Sequence, residues 1–492
     1  MNYSLFKEKM YQVNLISAMN SLLSWDMEVN MPTQSDKGFR ADQMAFVSGL
    51  HFQKATDREL VDLINLLSQS NELSDMEMKN VKVAKKDMDD MLKFTQDFVE
   101  KEAKLTSEAH NIWVEARKKS DFKIFEKSLE SIVTLLREKC EILGYENHPY
   151  NALLNQYEEG SNVVDLDKLF ADVKVRLKPL IEAVKSKQTS ATQFLNQKFD
   201  GTKQMELVAD ILNHLKFDAN LYKINLSTHP FCTHFHPTDI RITTRINEND
   251  LMSSIWSGIH EMGHGMYEMG LNKENVGLPI SSSTSLGIHE SQSRFWENNI
   301  GRSRSFISSI FPLMQKHFPA EFANATVKDL FNEINFVSPS LIRTESDELT
   351  YHYHIMIRYE VEKKLIEGSI AVSEVVTYWN QCYKEYLGLE VPNDAQGALQ
   401  DIHWSMGGLG YFPTYSQGSF FASQWYDAIS KENDINALIA SQSFEKILAW
   451  HTKHIHQYGK LYSSNELCEM ATGSKLDFTF FENYIKAKFE LN

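Results

Sequence analysis

The chain has 492 residues and a net charge of −16, from 66 acidic and 50 basic side chains. Without a lysine/arginine block this balance excludes nucleic acid as a partner, and no apolar run approaches the ~18 residues of a membrane span. Only 21 glycines and 11 prolines punctuate the chain, which favours long helices over a turn-rich sandwich or barrel. Residues 1–225 read as helix after helix. "ELVDLINLLSQS" sets Leu60, Leu63, Leu66 and Leu67 at helical spacing, and 121–145 carries Phe122, Phe125, Leu129, Ile132, Leu135 and Leu136 along one side. Residues 75–118 are highly charged with a sparse apolar stripe, a pattern for a long, partly exposed helix or hairpin. Near 226 the texture changes: Ile240 and Ile242 alternate with Arg241 and Thr243, predicting a small β-hairpin or short strand pair near 226–246. Helices are expected again over 248–274, 285–302, 321–334 and 345–366, then a glycine- and aromatic-rich loop at 397–420, then helix.

The expected architecture is therefore mainly α, in three consecutive parts forming one integrated unit: an N-terminal helical region (1–225), a middle region (226–420) that holds the β element and the loops, and a C-terminal helical region (421–492). Cys140, Cys232, Cys382 and Cys468 are scattered without a CxxC pair, against both a disulfide scaffold and a cysteine-rich zinc site. The N-terminus lacks a signal peptide's apolar core, so the expected location is cytoplasmic.

The chemistry concentrates in "WSGIHEMGHGMYEMG", residues 256–270. On a helix His260 and His264 lie about 40° apart, one turn from each other, with Glu261 about 100° from the first. Leu251, Ile255, Ile259, Met262 and Met266 fill the opposite side, continued by Met269. Two imidazoles one turn apart converge on a cation, and the intervening glutamate stands beside it as a proton carrier for a metal-activated water. Gly258 and Gly265 each cost roughly 1 kcal/mol against alanine, which makes sense where another segment or a substrate comes close. The next helix brings Glu290, 26 residues after His264, as third ligand. His289 points about 100° away from it, as a supporting group or substrate donor. Glu268 and Glu297 are candidates to hold the second ring nitrogens of the ligand histidines.

Six motifs in order carry a resemblance: His229-Pro230-Phe231; Asp239, Arg241 and Thr243; "HEMGH" at 260–264; "HESQ" at 289–292; "IRTESD" at 342–347; and "GALQDIHW" at 397–404. "LLSWDMEVNMP" at 22–32 looks like a further N-terminal signature. The chain resembles the M32 family of metallocarboxypeptidases over essentially its whole length. Cys232 and "HFHPTD" depart mildly from the family pattern. The resemblance implies a large helical metallopeptidase with a deep central groove, a homodimer, and release of single amino acids from peptide C-termini. It also implies His260, His264 and Glu290 as metal ligands and Glu261 as the catalytic carboxylate. One divalent ion per chain is expected, zinc first, with cobalt or manganese also compatible with two nitrogens and a carboxylate.

An exopeptidase must read the terminal α-carboxylate, and an arginine fork does so bidentately. Arg343 is the first candidate and Arg241 the second; each has a plain alternative as a salt-bridge partner, of Asp347 and Asp239 respectively. His403, Tyr411 and Tyr415 are candidate donors to the developing oxyanion, with Asp401 a possible orienter of His403. Two alternatives stand beside the carboxypeptidase: a metal-dependent endopeptidase, and a non-catalytic peptide-binding protein with a structural metal.

Overall fold

In the computed structural model, residues 2–32, 35, 37–189 and 194–491 are described. The protein is mainly helical, with one small sheet. Among the described residues no helix is long and apolar enough to cross a membrane. The chain forms two compact units, each assembled from three separated stretches: Met1–Met91, Ser190–Ile334 and Phe421–Leu476 in the first, Leu92–Thr189, Asn335–Phe420 and Asp477–Asn492 in the second. One boundary coincides with position 420, whereas the first unit runs straight through 225.

In the second unit the helix Phe122–Leu143 starts where Asp121 accepts from the Lys123 amide. It ends at Gly144, whose φ of 80° a side chain would resist. Phe122, Phe125, Leu129, Ile132, Leu135 and Leu136 are all buried, as the 3.6-residue period requires. In the first unit the helix Arg58–Leu67 buries Leu60, Leu63, Ile64 and Leu67. Leu66, expected in that stripe, is instead exposed, because Ile64 occupies the inward phase. The charged stretch becomes two helices, Asp75–Leu92 and Gln96–Lys119.

Two helices went unforeseen. Arg304–His317 contains Pro312, a residue that ordinarily ends a helix, and Val375–Leu387 opens on β-branched and aromatic residues of low helix propensity. The loop expected at 397–420 is shorter than its composition suggested, since a helix begins at Pro413 and runs to Glu432.

The sheet has three strands, β1 (Tyr222–Leu226), β2 (Cys232–His236) and β3 (Asp239–Thr244), in the order β1-β3-β2. β2 and β3 form the expected antiparallel pair, and β1, which begins before the expected bound of 226, adds in parallel. Ile240 and Ile242 of the central strand are fully buried.

The helix Leu251–Gly270 belongs to the larger hydrophobic core of the first unit, and its start is capped by Asp250 accepting from the Ser253 amide. Its glycines are contact points for chain segments. A methyl group on Gly258 would lie 2.8 Å from Val208 of the helix Gly201–His214; on Gly265 it would meet Phe217 at 2.9 Å and Ile240 of β3 at 3.0 Å. Gly263 is tighter still. There a methyl would sit 2.6 Å from Ser293 Cα and 2.7 Å from the Gln292 carbonyl oxygen, so the helix Leu286–Arg294 packs backbone to backbone against it. A Gly263→Ala variant is expected to lose about 1–3 kcal/mol through overpacking, read as a lower midpoint in calorimetric unfolding; an unchanged midpoint would mean the two helices part at no cost.

Candidate metal centre

His260 and His264 stand on the side of the helix Leu251–Gly270 opposite Ile255, Ile259, Met262 and Met266, all of which are buried. The contact at Gly263 brings Glu290 over this polar side. One carboxylate oxygen, Glu290 Oε2, lies 3.4 Å from His260 Nε2 and 3.5 Å from His264 Nε2. Three ligand-type atoms, one from each residue, all fall within 4.8 Å of one another. Around a tetrahedral ion with bonds of about 2.0–2.1 Å, neighbouring ligand atoms are separated by about 3.4 Å. The spacing and the donor set therefore fit a divalent metal ion.

His260 and Glu290 are held from behind by hydrogen bonds, whereas the buried Nδ1 of His264 has no hydrogen-bond partner among the described residues and its ring is held by stacking. His260 Nδ1 lies 2.8 Å from Glu297 Oε2, which settles which of the two candidate glutamates serves it. Glu268 serves His289 instead, at 2.8 Å from its Nε2. His289 in turn stacks on His264, with ring centres 4.3 Å apart and planes inclined by 16°. On the other side Glu268 Oε2 lies 3.2 Å from His234 Nε2 of β2. Glu290 Oε1 accepts from Arg294 Nε at 2.7 Å, and Ser293 Oγ donates to Oε2 at 3.0 Å. Arg302 Nη2 donates to Glu297 Oε1 at 3.1 Å, and neither arginine was foreseen in these roles. The signal was present in the i,i+4 spacing of Glu290 and Arg294.

Electrostatics separates these groups into distinct states. Burial alone would raise the Glu290 carboxyl, but the Arg294 guanidinium and His260 hold it well below the usual carboxylate range. Glu297 is brought down to about 2 against the same burial penalty by Arg294, His260 and Arg302. Burial works against charge on His260, yet Glu290 and Glu297 outweigh it and raise its pKa. Burial and the neighbouring His289 push His264 down to about 3. Glu261 goes the other way: burial lifts it to about 7, with the negative charge of Glu290 adding to the effect of desolvation. Burial thus disposes Glu261 to hold a proton more tightly than a free carboxyl does.

In the first unit Arg241 takes its plain alternative. Asp239 accepts from its Nε at 2.6 Å and its Nη2 at 3.2 Å, and the guanidinium lies 5.0 Å from the centre of the Trp25 ring.

The second unit holds Arg343, His403, Tyr411 and Tyr415. Arg343 is buried, donating to Asp401 Oδ1 at 2.9 Å and to the Tyr351 hydroxyl at 3.2 Å, with the Tyr415 ring 5.0 Å from its guanidinium carbon. Its partner is thus Asp401 and not Asp347, which accepts from the amides of Ser338, Leu349 and Thr350. Asp401 also receives Arg358 Nε on Oδ2 at 2.6 Å, so it serves two arginines and leaves His403 to Tyr415, whose hydroxyl is 3.2 Å from Nε2. Burial presses His403 down to about 4, so its ring is neutral near pH 7. Tyr411 packs edge-on against Tyr157 and His403.

A group the sequence did not mark is Glu362. Its carboxylate accepts from the Tyr150 hydroxyl (2.6 Å), the Trp404 indole (2.7 Å) and the Gly410 amide (2.8 Å), pinning both ends of the 404–410 segment.

Residues 5–489 match the family described as Carboxypeptidase Taq (M32) metallopeptidase. The chain belongs to this family. It is 35% identical to thermostable carboxypeptidase 1 of Pyrococcus furiosus over 96% of this chain and 95% of that one. Among solved structures, a protein designated CHT matches with a TM-score of 0.95 at 44% identity over 99% of both chains. The M32 carboxypeptidase of Deinococcus radiodurans R1 matches with a TM-score of 0.96 at 31% identity, over 100% of this chain and 99% of that one. As a member of M32 the protein is a metal-dependent carboxypeptidase acting on peptides. The expected family and mainly helical fold are both borne out.

Burial raises Glu362 from 4.5 to about 7 in spite of its three donors. The folded protein therefore holds this proton more tightly than the unfolded chain does. Stability conferred by protonation is complete below about pH 4.5 and is lost as the pH rises toward 7. Relative to Glu362→Gln, the wild type is expected to lose about 3 kcal/mol across that window, then level off, in urea unfolding at stepped pH. A pH-independent difference would show that Glu362 keeps one protonation state throughout.

Proposed function

We propose that His260, His264 and Glu290 hold the divalent ion, zinc by preference, and that Glu261 is the proton carrier of peptide hydrolysis. The observation that carries this reading is the single Glu290 oxygen facing both imidazoles at 3.4 and 3.5 Å, with the buried Glu261 carboxyl next to His260 on the same helix. When bound, the ion supplies Lewis acidity toward the scissile carbonyl and acidifies water. Glu261 accepts the proton that water loses and returns it to the departing amine. Glu297 orients His260 through Nδ1, and His289, fixed by Glu268, buttresses the ring of His264.

Arg343 is the preferred receptor for the substrate's terminal carboxylate. Asp401 and Tyr351 fix the orientation of its planar fork. Neutral His403, with Tyr411 and Tyr415, is the proposed donor group toward the oxyanion. A homodimer is proposed from the family likeness. A cytoplasmic location is supported by four cysteines present as free thiols.

Glu261→Gln is expected to cut kcat by roughly a hundredfold or more, the scale of general acid–base catalysis, while one ion per chain is retained in elemental analysis. Full turnover in that variant would remove Glu261 from its role. Amidating the peptide C-terminus is expected to abolish most cleavage, and an endopeptidase would tolerate it. Arg343→Lys is expected to raise KM for free-ended peptides by roughly tenfold or more, because an ammonium cannot replace the bidentate fork; an unchanged KM would return Arg343 to a purely structural role.

A further inference from the structure

Arg294 joins two carboxylates that act on the same candidate ion site. Its Nε donates to Glu290 Oε1 at 2.7 Å, and its Nη1 donates to Glu297 Oε2 at 3.3 Å. Glu297 Oε2 also meets His260 Nδ1 at 2.8 Å, and the opposite ring nitrogen of His260 faces Glu290 Oε2. The contacts close into a ring running from His260 through Glu297, Arg294 and Glu290 back to His260. Arg302 Nη2 completes the set on Glu297 Oε1 at 3.1 Å. Two carboxylates and two guanidiniums thus neutralise one another inside the unit, with Arg294 only 14% exposed.

We propose that Arg294 is a positioning residue that restricts Glu290 to a single liganding oxygen and so biases the site toward ions of low coordination number. The proposal rests on the reading of His260, His264 and Glu290 as the ion site. With Oε1 occupied by Arg294, Oε2 is the oxygen that faces both imidazoles. A carboxylate free to turn would offer both oxygens, which favours larger, higher-coordinate ions such as manganese over zinc or cobalt. Charge balance alone does not require an arginine here. A lysine would supply the same charge, but a compact ammonium cannot hold Glu290 and Glu297 together in the geometry of the planar fork.

The test uses Arg294→Lys in the full-length chain, stripped of metal and titrated separately with zinc and manganese against a competing chelator. Zinc affinity is expected to fall roughly 10- to 100-fold, the usual cost of losing a group that orients a ligand, and manganese affinity to fall less. The cobalt-substituted variant should absorb more weakly in the visible than the wild type, as coordination number rises above four. Unchanged zinc affinity together with an unchanged cobalt spectrum overturns the proposal. X-ray absorption on the zinc-loaded wild type supplies a check independent of how the variant folds: one short carboxylate oxygen supports it, and two overturn it. Glu290→Gln and His264→Ala, titrated in parallel, separate the two layers of the argument. If either retains wild-type zinc affinity, the ion site itself is misassigned; if both lose it while Arg294→Lys does not, Arg294 alone is.

Discussion

The constraint on which the candidate metal centre depends is the absence of a side chain at Gly263. Backbone atoms of Gln292 and Ser293 occupy the space where a Cβ would stand, and that approach delivers Glu290 to the two histidines. A helix glycine costs about 1 kcal/mol in propensity, and here the loss is exchanged for a fixed distance between the helices that carry His260, His264 and Glu290. Gly258 and Gly265 extend the same principle to the helix Gly201–His214 and to β3. A catalytic constellation needs its atoms held to within about half an ångström, and backbone contact is a stiffer spacer than interdigitated side chains.

The second helix continues into a π-helical stretch, Phe295–Gly301, in which every residue is buried. A π-helix brings i and i+5 together, and the pair it aligns is Glu297 with Arg302. An ordinary helical turn would place those residues about 140° apart. The wider turn thereby lets Glu297 serve His260 with one oxygen and meet Arg302 with the other. Buried charges of this kind persist only when each is paired, and the alternation of acid and base along 290–302 supplies the pairing locally.

Much of this was legible in the residues. His260, Glu261 and His264 carry their own geometry, and the apolar phase of Ile255, Ile259 and Met262 fixes which way the helix turns. The partner of His260 could not be read, because Glu268 and Glu297 are equally plausible by spacing, and only the packing of the two helices chooses between them. Arg343 was visible as an arginine in a motif, but its engagement by Asp401 joins residues 58 positions apart. β1 escaped notice because its parallel pairing with β3 is set by tertiary contact rather than by a hairpin. Glu362 gave no signal at all: a glutamate on a helix looks like a solvated one until its three donors are brought to it by distant segments.

The last helix, Phe478–Lys488, belongs to the second unit. It contributes Phe481 against His352, Glu482 to Arg176, and Lys488 to a nearly buried pair with Glu348. During synthesis, domains ordinarily mature in the order they leave the ribosome. Here the second unit cannot close its interior before residues 478–488 have been translated. A ribosome that stalls or terminates short of that helix releases a chain with an open hydrophobic interior, marked by its own incompleteness for chaperone or protease.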